Sequence, residues 1–180
     1  MFKYLGLILV IFSWLAGGYL IIKWRDKTLP TISRHAASSK HASLFFAVVL
    51  IIGGLLFYLW LLKWFMPHLD LGVAFGTILT VAVACQIVTA LAPDTTGKSK
   101  LIHHYAAYSM ALLYLPLTAL IIIAPHISDG AQIICSIAGL YLVATFITIV
   151  LLGQAKDKYL LFQALYVMAF QSLILVAAYW

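Results

Sequence analysis

Between Ala92 and Tyr108 the chain reads Ala-Pro-Asp-Thr-Thr-Gly-Lys-Ser-Lys-Leu-Ile-His-His-Tyr-Ala-Ala-Tyr, which gathers one acid, two bases and two imidazoles. Asp94 can accept hydrogen bonds, take a proton or ligate a metal. His103 and His104 add imidazole, the side chain best suited to proton transfer and metal ligation. Lys98 and Lys100 supply fixed positive charge. The simplest joint use is an anion site at headgroup depth. The amides opening the next helix, its dipole, the two lysines and an imidazole would together hold a lipid phosphate. Ser33 joins this set if the loop that carries it lies on the same face of the membrane, above Asp94 and His103. The plain alternative is a helix end anchored by positive charge. An enzymatic alternative uses His103 and Asp94 as acid/base pair or metal ligands on a lipid substrate.

Two other patterns have simpler readings. Ala92-x4-Gly97-Lys98-Ser99 loosely fits a phosphate-binding loop, but that mechanism needs a strand before it in a parallel sheet. Here an apolar helix precedes it and Pro93 removes an amide, so a Pro-Asp turn is the expectation. The six histidines, His35, His41, His68, His103, His104 and His126, read as solvated at the membrane interface, against a His/Asp metal site or haem. Adjacent histidines on a helix point about 100° apart and do not chelate as an i,i+4 pair does. The cofactor is left unassigned. No charged residue or histidine stands near the middle of an apolar segment, which counts against a pump or a small-solute transporter.

These residues must be positioned by membrane helices. The chain of 180 residues is 65% hydrophobic, 9% charged and free of glutamate, whereas soluble domains carry about a quarter charged residues. Six apolar segments, at about 4–22, 43–66, 71–91, 101–124, 131–153 and 159–179, each suffice to cross a hydrocarbon core of about 30 Å. The expected fold is all-α: a polytopic integral membrane protein, one transmembrane domain over 1–180, built as a six-transmembrane-helix bundle. The first segment lacks a cleavage site and is followed by Lys23-Trp24-Arg25-Asp26-Lys27, so it reads as retained. The stretch from Thr28 to His41 reads as a loop or short surface helix. Gly72, Gly76, Thr80 and Ala84 form a stripe expected to pack against a neighbour. Trp60 and Trp64 are expected at headgroup level, Pro116 should kink its helix, and Gln86 needs a hydrogen-bond partner. Cys85 and Cys135 fall at different depths, about 15 Å apart along their helices, too far for a disulfide.

Orientation follows from charge. Lys23, Arg25, Lys27, Arg34, Lys40, Lys98, Lys100, Lys156 and Lys158 fall in the first, third and fifth loops, leaving only Lys3 and Lys63 for the other side. The positive-inside rule then places those three loops in the cytoplasm and both termini outside, in the cell (inner or plasma) membrane. The net charge of +6 is accounted for by these loops. No basic stripe with interleaved aromatics suggests nucleic acid.

Thr31-Ile32-Ser33, Ala92-Pro93-Asp94 and His103-x-x-Ala106-Ala107 carry a resemblance. The chain is similar to the membrane proteins grouped as domain-of-unknown-function family 998 (DUF-998), and more distantly to the Frag1/DRAM/Sfk1 six-helix family. It departs from the pattern at Arg34-His35-Ala36, where an acidic residue and a glycine usually follow the serine, and at Ala92, where an aromatic usually precedes the proline. The resemblance implies a membrane fold, makes His103 rather than His104 the family-like position, and favours lipid as the partner. Taken together, the sequence suggests a multi-pass membrane protein whose cytoplasmic face binds a lipid headgroup, an anionic phospholipid being the candidate, or a partner protein. The site would be Ser33, Asp94, Lys98, Lys100, His103 and His104. A lipid-modifying, metal-dependent enzyme and a small-solute transporter stand as alternatives.

Overall fold

A computed structural model describes residues 2–24, 31–151 and 159–180. The helices are α1 (Leu5–Lys23), α2 (Ile32–Ala37), α3 (Lys40–His68), α4 (Val73–Leu91), α5 (Gly97–Ile122), α6 (Asp129–Val150) and α7 (Tyr159–Tyr179). All but α2 are long and apolar enough to cross a membrane, six in all. Lipid offers no hydrogen bonds to a backbone, so a spanning segment must satisfy its own amides, and helices do. Accordingly the large side chains on the outer faces are apolar: Leu15, Val73, Ile123 and Leu140 are all exposed.

Caps set the ends more tightly than hydropathy does. Ser39 Oγ accepts the Ala42 amide, so α3 begins at Lys40 rather than near residue 43. Ser128 Oγ accepts the Ala131 amide and starts α6 at Asp129. Within α3, π-helical turns at Val49–Gly53 and Leu61–Phe65 loosen the carbonyl ladder. Gln86 of α4 donates to the Leu50 carbonyl there at 2.8 Å, the partner its depth required. Pro116 lies inside α5, which runs unbroken to Ile122.

The bundle has two unlike ends. At one end the termini meet the α3–α4 and α5–α6 turns. There Trp60 Nε1 and Tyr179 Oη both donate to the Lys3 carbonyl, at 3.2 and 2.5 Å. Trp64 stacks on both Trp60 and Tyr179. Trp60 is fully buried and not a headgroup anchor, because Gly6 leaves room for its indole against α1. Most of the largest buried side chains, including Phe65, Phe75, Leu117, Ile121 and Leu173, pack toward this end. The opposite end holds α2 and the α4–α5 hinge, and there polar residues are buried: Ser33, His35, Thr89, Asp94 and His103.

The small-residue stripe of α4 does not pack as expected. Gly72, Thr80 and Ala84 are exposed, and Gly76 is half-buried beside the flexible side chains of Met66 and Leu62. The buried face of α4 is Phe75, Leu79, Ala82 and Thr89, whose bulk fills the interior. Close approach occurs elsewhere, where Gly139 of α6 faces the Thr118 methyl of α5. Both cysteines are free. The basic anchor at 25–27, the loop lysines Lys156 and Lys158 and the end of the fifth span beyond 151 lie outside the described residues.

Candidate functional site

Within the stretch read as a loop or short surface helix, Ile32–Ala37 form a short helix docked on the bundle. Thr31 caps α2 by accepting the Arg34 amide at 3.1 Å, and the Ile32 amide donates to Gln163 Oε1 of α7 at 3.1 Å. Ser33, His35 and Ala36 turn inward and are buried, with His35 Nδ1 2.8 Å from the Thr31 carbonyl. Docking α2 in this way carries Ser33 and Arg34 over the hinge.

The hinge itself is a tight turn. The Pro93 carbonyl accepts the Thr95 amide at 2.8 Å and Ser99 Oγ at 2.9 Å. Gly97 enters α5 at φ 63°, a conformation that favours glycine. This brings the start of α5 to Gly97, one turn before Leu101. It also turns Asp94 inward, where it is 3% exposed.

Asp94 is the centre of the polar cluster. Its Oδ2 accepts from Arg34 Nε at 3.1 Å and from Ser33 Oγ at 3.3 Å. Its Oδ1 lies 3.3 Å from His104 Nε2, but off the line a hydrogen bond requires. Among the described residues Oδ1 therefore has no donor. A buried carboxylate oxygen left in that state is costly, on the order of 1–3 kcal/mol or more for a charged group.

His103 has a different role from its neighbour. Its Nδ1 is 2.7 Å from the Ala92 carbonyl and 3.1 Å from the Thr89 carbonyl, acceptors that the end of α4 leaves without intrahelical partners. A carbonyl only accepts, so Nδ1 carries a proton. The two imidazoles sit edge to face with centroids 6.0 Å apart. His35 and His103, 2% and 3% exposed, are thus buried and structural in their Nδ1 contacts, which overturns the expectation of solvated histidines for these two, while His41, His68 and His126 are exposed. Carbonyls at a helix end and at the α2 cap drew them in.

A cavity of about 130 Å³ opens beside this cluster, between α5, α6 and α7. Ser33, Asp94, His103 and His104 line its polar end. Its other end is walled by apolar and aromatic side chains, among them Met110, Tyr114, Phe146, Ile149 and Val167. Lys98 is exposed and Lys100 half-buried on the other side of the hinge turn, and neither lines the cavity. The structure thus brings together four of the six candidate residues and leaves the two lysines apart.

No family model matches the chain, and no curated protein or solved structure matches it either. The site must be read from its own chemistry.

With Arg34 against Oδ2, the carboxylate charge is balanced locally. Asp94 and His103 both line the polar end of the cavity, and Asp94 Oδ1 has no donor among the described residues. Such an end suits a hydroxyl or ammonium donor better than a phosphate. Among the described residues no three His, Cys, Asp or Glu side chains are grouped as a metal site would need. Sequence reasoning passed over Arg34, Gln163 and the aromatic walls. A signal for the walls exists: His103, Ala107, Met110 and Tyr114 recur at spacings of four, three and four, one face of α5. Tyr159, Phe162, Gln163, Tyr166 and Val167 do the same on α7.

Proposed function

We propose that this multi-pass membrane protein holds one lipid-like amphiphile in the α5–α6–α7 cavity. The polar head meets Asp94 and His103, and the hydrocarbon chain lies among the aromatic side chains. One observation carries the reading: among the described residues a buried Asp94 oxygen has no donor, and Asp94 lines the polar end of a cavity whose remaining wall is largely apolar. A ligand hydroxyl or ammonium would complete its hydrogen bonding, and a chain would fill the apolar part without leaving lipid-like surroundings. Lys98 and Lys100, at the rim outside the cavity, would attract anionic lipid to the surface rather than hold the bound molecule. Positive-inside counting puts this face in the cytoplasm and both termini outside.

Native mass spectrometry of the detergent-purified protein tests the reading. A co-purifying amphiphile should be present on the parent, lost from the cavity-filling variant Ile149→Trp, and reduced in Asp94→Asn. The double charge reversal Lys98→Glu/Lys100→Glu should leave it in place. Equal retention on Ile149→Trp, with its melting temperature unchanged, overturns the proposal. Loss on the lysine variant alone would return the site to the hinge surface. A second reading rests on His103: an imidazole fixed through Nδ1, with no partner at Nε2 among the described residues, is also how a general base is presented. In that reading the same amphiphile is a substrate, and purified protein would convert it rather than return it intact.

A further inference from the structure

A second cavity of about 140 Å³ lies deeper in the bundle, between α1, α3, α4, α5 and α7. Met110, Tyr114 and Val167 line both cavities, so a wall one side chain thick separates them. Tyr114 forms much of that wall and lies flat on Phe170, ring centroids 3.9 Å apart and planes within 6°. From His103 to Tyr114 is 11 residues along α5, about 16 Å at the helical rise and roughly half the hydrocarbon thickness. A chain whose head rests at Asp94 reaches this wall near mid-membrane.

The second cavity contains polar side chains, and the two glutamines among them are held by hydrogen bonds. Gln171 Oε1 accepts from Trp14 Nε1 at 2.6 Å and from Ser13 Oγ at 3.2 Å, while Gln171 Nε2 donates back to Ser13 Oγ at 3.1 Å. Gln86 is engaged with the Leu50 carbonyl. Most of the rest of the lining is apolar, including Leu50, Val83 and Phe170. Met110, unbranched and flexible, is suited to move aside.

We infer that the two cavities form one tunnel for a single long hydrocarbon chain, with Met110, Tyr114 and Val167 as the partition that sets chain length. This rests on the proposed amphiphile site and names its ligand class: a long single-chain amphiphile with a hydrogen-bond-donating head. Short chains stop at the partition. Long chains displace Met110 and run past Tyr114 toward Val83 and Gln171.

Saturated monoacylglycerols from octanoyl to octadecanoyl, bound to the full chain in detergent, test this. Their partition into micelles is common to parent and variant, so the parent-to-variant ratio of affinities isolates the cavity. Val83→Phe, which fills only the second cavity, should weaken octadecanoyl binding about tenfold, or about 1.4 kcal/mol, and leave octanoyl binding unchanged. Equal octadecanoyl affinity on parent and variant overturns the tunnel. A failure of octanoyl itself to bind the parent, or its indifference to Ile149→Trp, overturns the amphiphile site instead. An octadecanoyl probe with a terminal diazirine needs no variant. Labelling of the Leu50–Gly54 or Leu79–Val83 segment supports the tunnel, and labelling confined to Phe146–Val150 refutes it.

Discussion

Arg34 Nε stands 3.1 Å from Asp94 Oδ2, joining the segment after the first span to the hinge after the third. The carboxylate is buried while the Arg34 side chain is 34% exposed, so one partner is fixed by the fold and the other reaches in from the surface. This pairing, with Ser33 beside it, holds α2 down over the mouth of the cavity.

Removing Arg34 should therefore unsettle Asp94. Arg34→Ala is expected to cost about 1–2 kcal/mol, the lower part of the range for a charged hydrogen bond because the guanidinium is partly solvated. Adding Asp94→Asn should recover part of the loss, since the neutral amide no longer needs a cation. A double-mutant cycle on melting temperature in detergent measures the coupling. Strictly additive losses would show that the pair does not interact.

His103 should matter to the fold in a way His104 does not. Its Nδ1 serves the Ala92 carbonyl at 2.7 Å and the buried Thr89 carbonyl at 3.1 Å, and His103→Phe takes that donor away. We expect a loss of about 1–3 kcal/mol. His104, 38% exposed at its side chain, has no such carbonyl, and His104→Phe should move the melting temperature far less. Equal effects would remove the distinction between the two rings.

Glycine at position 6 is expected to be irreplaceable. A Cβ there would run into the fully buried Trp60 ring, which has nowhere to go. Gly6→Ala should cost about 1–3 kcal/mol, as overpacking does. Gly17, where a Cβ meets nothing within 4 Å, is the control. Gly17→Ala should be neutral or gain up to about 1 kcal/mol from helix propensity. Thermal melts of the two alanine variants side by side settle the comparison.

Topology can be checked at positions free of structural duty. Ser39, Ser99 and Ser128 each engage a helix end through Oγ, so cysteine is better placed at the exposed Lys98 and His126. With Cys85 and Cys135 replaced, His126→Cys should react with an impermeant thiol reagent in intact cells. Lys98→Cys should react only after permeabilisation. The reverse pattern would turn the protein over and put the Asp94 cavity outside.

The sequence determined the six spans and the all-α class, because only a self-satisfied backbone can lie in lipid and long apolar runs announce it. It also singled out the Asp94–His104 stretch, where polar residues break two such runs. It did not determine which face of each helix turns inward. A helix apolar on all sides has no amphipathic stripe to read, and so the small residues of α4 pointed to a packing face that is exposed. Only the tertiary structure could decide that α2 docks on Gln163 and delivers Arg34 to Asp94, residues 60 positions apart. The same holds for the separation of the lysines from the imidazoles. Lys98, Lys100, His103 and His104 are neighbours in the chain, but a helix sends successive side chains in different directions. Carbonyls at the end of α4 drew His103 inward, while Lys98 stays exposed and Lys100 half-buried outside the cavity.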